Sequence, residues 1–153
     1  MLLAVVAVLG CGRTARAQAG DAEQGFAQRI DQERTAHGLA ALAPAADLQE
    51  VARRHAQRMA ERGQPYHNPQ LGSEVSDWSM VGENVGVGDQ VDAIHAAFMA
   101  SSPHRSAILS PDFTQVGVGV HVSADARIWV VQVFRRPAAA ATDPAPAAPP
   151  APA

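Results

Sequence analysis

The chemistry open to this 153-residue chain rests on a few histidines and carboxylates. His67 and His104 offer two imidazoles and Glu83 a carboxylate, a set that could give zinc three ligands and leave positions open for water. The same groups could act as an acid–base pair, because histidine titrates near neutral pH and a carboxylate can fix its tautomer. Spacing does not choose between these, since no two of the three stand as His-x-x-x-His on a helix. A hydrogen-bonded polar cleft with neither metal nor catalysis fits the same residues. Ser101 and Ser102 lie near His104, yet no Ser–His–Asp order emerges, and serine there is equally explained by hydrogen bonding at a helix end.

The other polar candidates have structural readings. His55 falls in an apolar helical stripe and reads as a hydrogen-bonded core histidine, while His95 reads as helix surface or core edge. His121 sits toward the end of a strand and reads as structural. Asn84, between Gly82 and Gly86, is expected to tie a turn to the backbone, and Arg105 to pair with an acid or a carbonyl. Tyr66 and Trp78 either flank the cleft or cap the core. Residues 64–88 show no sustained helical period and read as a loop region dense in such side chains, where function concentrates.

The elements that must position these residues follow from periodicity. Phe26, Ala27 and Ile30 predict a helix over 22–37, closed by Gly38. Asp47 and Glu50 form a capping-box-like start to a second helix, in which Leu48, Val51, Ala52, His55, Ala56 and Met59 share a stripe that ends at Gly63. Asp89 is expected to cap a third helix, with Val91, Ile94, His95 and Phe98 on one face, followed by a short turn or helix over 104–109. Val116, Val118, Val120 and Val122 alternate with Gly117, Gly119 and His121, and 128–134 forms a second β-rich run, so the pair predicts a hairpin. Glycines on one face of a strand imply that a helix or loop approaches the sheet closely.

Composition sets the boundaries. A net charge of −3, with scattered arginines as the only strong bases, gives no general grip on phosphates, so nucleic acid is not an expected partner. The single cysteine, Cys11, precedes the domain, which spans 24–136 and must hold together without a disulfide. Residues 2–9 form an apolar run too short to span a bilayer but suited to an export signal, and two small-x-small sites allow cleavage after Ala17 or Ala19, giving a signal peptide over 1–19. A competing scheme lipidates Cys11 within Val8-Leu9-Gly10-Cys11, which would tether the protein to a membrane. Residues 137–153 contain only Pro, Ala, Thr and Asp and are expected to form a disordered tail.

Helices followed by a terminal hairpin argue for an α+β fold. The ordered set Asp31-Gln32-Glu33-Arg34, His37-Gly38-Leu39, Ala52-x-x-His55-Ala56, Met59-Ala60, His67, Gly82-Glu83-Asn84-Val85, Phe98-Met99-x-Ser101-x-x-His104-Arg105, Gly117-Val118-Gly119-Val120 and Trp129-x-x-Gln132-x-Phe134 resembles the bacterial branch of the CAP superfamily. These are the cysteine-rich secretory, antigen 5 and pathogenesis-related proteins, whose module is also called the SCP domain. The resemblance covers nearly the whole globular part and implies a three-layer α–β–α sandwich with a small antiparallel sheet. It also implies a cleft of two histidines and two acids, sometimes holding a divalent metal. His67 matches the first histidine, Glu83 the acid of Gly-Glu-Asn and His104 the second histidine. The second acid is missing: Ser101 stands near its place, and Asp112 could replace it only if the chain folds back. Weakly held zinc or another divalent metal is the cofactor implied. The resemblance points to an exported binding module for a small ligand, lipid, peptide or cell-wall fragment. A metal-assisted or acid–base hydrolase is the alternative, and a surface interaction protein without cleft chemistry the third reading.

Overall fold

The strand Ile128–Arg136 is apolar at six of its nine positions because both of its faces are covered. It lies inside a four-stranded sheet in the computed structural model, which describes residues 11–139. The elements in chain order are α1 (Cys11–Ala36), β1 (Ala43–Pro44), α2 (Ala46–Arg62), α3 (Leu71–Glu74), β2 (Met80–Gly88), α4 (Val91–Ala100), α5 (Ser102–Ile108), β3 (Gln115–Val122) and β4 (Ile128–Arg136). The sheet order is β1-β3-β4-β2; β4 is antiparallel to both β2 and β3, and the short β1 runs parallel to β3. Trp129, Val131 and Val133 face α2, whereas Val130 and Phe134 join Phe26, Ile30, Ile94, Phe98 and Ile108 from α1, α4 and α5. Two apolar cores on opposite faces of one sheet make the expected three-layer α–β–α sandwich.

The hairpin and the close approach to it are as the sequence predicts. A Cβ on Gly117 would collide with the backbone of α2 at Leu48 and Gln49, and one on Gly119 with that at Ala52 and Arg53, so α2 lies directly on the sheet. Gly38 and Gly63 are left-handed and follow the ends of α1 and α2 as expected.

Several local expectations are corrected. Helix α1 begins at Cys11, well before residue 22, and packed residues start before 24: Ala22 is buried, and Glu23 is a buried carboxylate that accepts bonds from Arg53, Gln49 and the Val120 amide. Small alanines and Gly20 gave that stretch no apolar stripe. The N-cap of α2 is Ala45, with no side-chain cap; Asp47 instead pairs with Arg135, a long-range partner that outcompetes the local box. Gln90, not Asp89, precedes α4. The expected loop over 64–88 contains α3 and the nine-residue β2. Gly82, Gly86 and Gly88 interrupt the strand pattern because Phe113, Phe98 and Ile94 lie against them; a Cβ on Gly86 would come within 2.7 Å of the Phe98 ring. At the other end Ser79 Oγ donates to the Pro137 carbonyl. The apolar run over 2–9 and most of the tail lie outside the described residues.

Candidate functional site

Alternation along β2 decides where its side chains go. Val81, Glu83, Val85 and Val87 point toward the α2 layer, and Gly82, Asn84 and Gly86 toward α4 and α5. Glu83 is therefore buried, its side chain only 4% exposed. Its Oε1 accepts two bonds, from His67 Nδ1 at 2.9 Å and from the Asn68 amide at 2.8 Å. Its Oε2 is buried without a hydrogen-bond partner, 4.0 Å from His55 Nε2.

A carboxylate only accepts, so the His67 nitrogen facing it carries the proton, and Nε2 is left with a lone pair. The His67 side chain is 66% exposed, which places that lone pair in solvent. Asn68 Nδ2 donates to Glu74, and Glu74 is paired to Arg58. Burial works against the charge on Glu74, but hydrogen bonds from Arg58 and Asn68 and the charges of Arg58 and Arg54 outweigh it and hold its carboxyl below the usual range.

His104 arrives from the other side of the edge strand, on α5. Its carbonyl accepts a bond from Asn84 Nδ2, which also reaches Gln132 Oε1, and its ring meets the Phe98 ring at 5.0 Å between centroids. Asn84 thus clamps a helix to two strands and does not tie a turn. Burial, and next the positive charge that His67 can carry, push the His104 imidazole below its ordinary value.

Three candidates do not join them. Ser101 forms the joint between α4 and α5, where its amide bonds Ala97 and Phe98 and its carbonyl accepts the Arg105 amide. Asp112 pairs with Arg136 and does not fold back to replace the missing acid. Arg105 is exposed, with no ion-pair partner among the described residues. Of the two aromatics, Trp78 lies over Gly72 and donates to its carbonyl, capping α3, while Tyr66 packs edge-on against His55 under the Arg62 guanidinium. Asn68, Glu74 and the site contact of His55 were missed by sequence reasoning. Only tertiary contacts across α2, α3 and β2 reveal them.

A resident metal needs convergent donors. Among the described residues no three His, Cys, Asp or Glu side chains form such a group. Glu83 stands behind His67, with one oxygen spent and the other buried, so a three-ligand set of His67, Glu83 and His104 does not fit this geometry.

The family model of the cysteine-rich secretory protein family, CAP, matches residues 27–134, and the chain belongs to that family. Solved structures share the fold. An outer surface protein of Borrelia burgdorferi is 17% identical with a TM-score of 0.71, covering 76% of this chain and 93% of that one. An extracellular SCP-domain protein of Bacillus anthracis is 22% identical with a TM-score of 0.73, covering 85% of this chain but only 45% of that longer one. NaASP2, solved with Zn2+, is 11% identical with a TM-score of 0.59, covering 74% and 78%. The comparison with curated proteins finds no match.

Proposed function

We propose that this chain is an exported CAP-domain binding module whose ligand site is the edge of β2 between His67 and His104. One observation carries the reading: buried Glu83 fixes His67 through Nδ1 and leaves its Nε2 lone pair in solvent, at the edge of the strand whose other face holds His104. Such a pair accepts from a ligand that presents hydroxyl or N–H groups, as wall fragments and peptides do.

Export is supported by the apolar run over 2–9 and by two bacterial structural neighbours, one an outer surface protein and the other an extracellular protein. No helix among the described residues is long and apolar enough to cross a membrane. Cleavage after Ala19 would keep Ala22, Glu23, Phe26, Ile30 and Arg34, the buried residues of α1, in the mature chain.

Zinc serves as a probe of whether the two lone pairs converge. Calorimetric titration should show weak binding that falls as pH drops through the histidine range, near 6.5 for an unperturbed ring, because protons compete for both imidazoles. His67→Ala and His104→Ala should each remove it without unfolding the protein. Equal binding by wild type and both variants would contradict the site.

A further inference from the structure

We infer that His55 is a positioning residue of the cleft, holding segment 66–68 so that His67 meets Glu83 with Nε2 free. The inference deepens the binding reading above and rests on it. Its first ground is hydrogen-bond valence. The Tyr66 carbonyl only accepts, so His55 Nε2, 2.7 Å away, carries the ring proton. The Arg58 guanidinium only donates, so His55 Nδ1, 3.5 Å from Nη2, presents its lone pair. One tautomer satisfies both neighbours, and the ring is locked.

The second ground is where that lock acts. Segment 66–68 is gripped from three elements: His55 of α2 binds the Tyr66 carbonyl, Glu83 of β2 the Asn68 amide, and Glu74 of α3 the Asn68 side chain. Glu74 is tied back to Arg58, which closes the circuit from His55 through Arg58, Glu74 and Asn68. His67 sits between the His55 and Glu83 grips, so its backbone is fixed on both sides of the ring. The apolar stripe of α2 explains why the residue at position 55 is buried, with 1% of its side chain exposed, but not why it is histidine. An apolar side chain there would leave the Tyr66 carbonyl without this donor. His55 Nε2 also lies 4.0 Å from the otherwise unpartnered Glu83 Oε2, so the positive edge of its ring backs the carboxylate that orients His67.

Ring-nitrogen NMR on the unliganded, 15N-labelled protein, above the pH range in which imidazoles protonate, tests this. Wild-type His67 should show an excess of Nδ1–H, against the Nε2–H preference of a free imidazole. His55→Met has similar reach and no donor, and should return His67 to the free-imidazole ratio. His55→Gln, with a donor at comparable reach, should restore the Nδ1–H excess. A folded His55→Met that keeps the wild-type ratio, or a His55→Gln that behaves like Met, overturns the inference. Should His55→Met fail to fold, Arg58→Met on the outer face of α2 takes its place. It unlocks His55 Nδ1 and should shift His67 in the same direction, and an unchanged His67 there is equally fatal. Because no ligand is present, failure here is distinct from failure of the binding reading, which would appear as absent zinc binding with the Nδ1–H excess intact.

Discussion

The two histidines that flank β2 are held by different physics on its two sides. On the α2 side His67 is exposed and is fixed by a charged network running through Glu83, Asn68, Glu74 and Arg58. On the α5 side His104 is half-buried, with its carbonyl held by the neutral amide of Asn84, which also donates to Gln132, and its ring against Phe98. The contrast implies that the first side responds to salt and to acid in the carboxylate range, while the second responds to loss of packing and to protonation of its part-buried imidazole. The edge strand joins one electrostatic holder to one structural holder.

The largest expected effect comes from removing the surface on which the charged side is built. Gly119→Val would drive a side chain into the α2 backbone and should cost about 3 kcal/mol or more by chemical denaturation, since overpacking here has only backbone to displace. A wild-type midpoint would mean that α2 does not sit on the sheet as described. Next is Asn84→Ala, which strips a donor from both the His104 carbonyl and Gln132 Oε1 and should cost about 1–3 kcal/mol. It should weaken the His104 side and leave the Nδ1–H excess of His67 in place. Loss of both would erase the distinction between the two sides.

Acid should sharpen the comparison in two windows. His95 and His104 have folded values lowered by burial from 6.5, so the unfolded chain takes up protons first and stability falls as pH drops from about 6.5 toward those lower values. Glu74 is lowered from 4.5, so its contribution is complete above that value and is lost as pH falls below it. Urea melts at pH 7.5, 5.5 and 3.5 should therefore show two successive losses. His95→Leu should reduce the first and Glu74→Gln the second. Equal stability at pH 7.5 and 5.5 would show that the histidines are not buried as neutral rings.

What could be seen beforehand divides along similar lines. The α2 stripe, the hairpin and the glycine approach were legible because each is a local period or a local exclusion of Cβ. Strand β2 was not, since Gly82 and Gly86 yield to the Phe113 and Phe98 rings and Gly88 to Ile94, and so break the strand pattern. His55 read correctly as a hydrogen-bonded core histidine, but its partner eleven residues on and its proximity to Glu83 depend on how the chain returns. His67, Glu83 and His104 were linked only through the family pattern. The pattern named the residues, and the alternation of β2 assigned the carboxylate to stand behind one ring.

The smallest stability effect is expected at the most exposed site residue. His67→Ala should cost about 1 kcal/mol, because the exposed imidazole contributes little to packing but its Nδ1–H donates to the buried Glu83 carboxylate. A drop of several times that size would make His67 a structural part of the network and not a ligand-facing group.

Glu83→Gln tests the placement of the carboxylate most directly. Glutamine keeps an oxygen that can accept from His67 Nδ1 and the Asn68 amide but removes the negative charge. Measured by calorimetry beside His67→Ala and His104→Ala, its zinc affinity should fall by about tenfold, the low end of the range for a partner that orients a donor without being one, because glutamine keeps the accepting oxygen. Loss of binding as complete as in the two histidine variants would show that Glu83 is itself a ligand, and the separation of roles across β2 would be wrong.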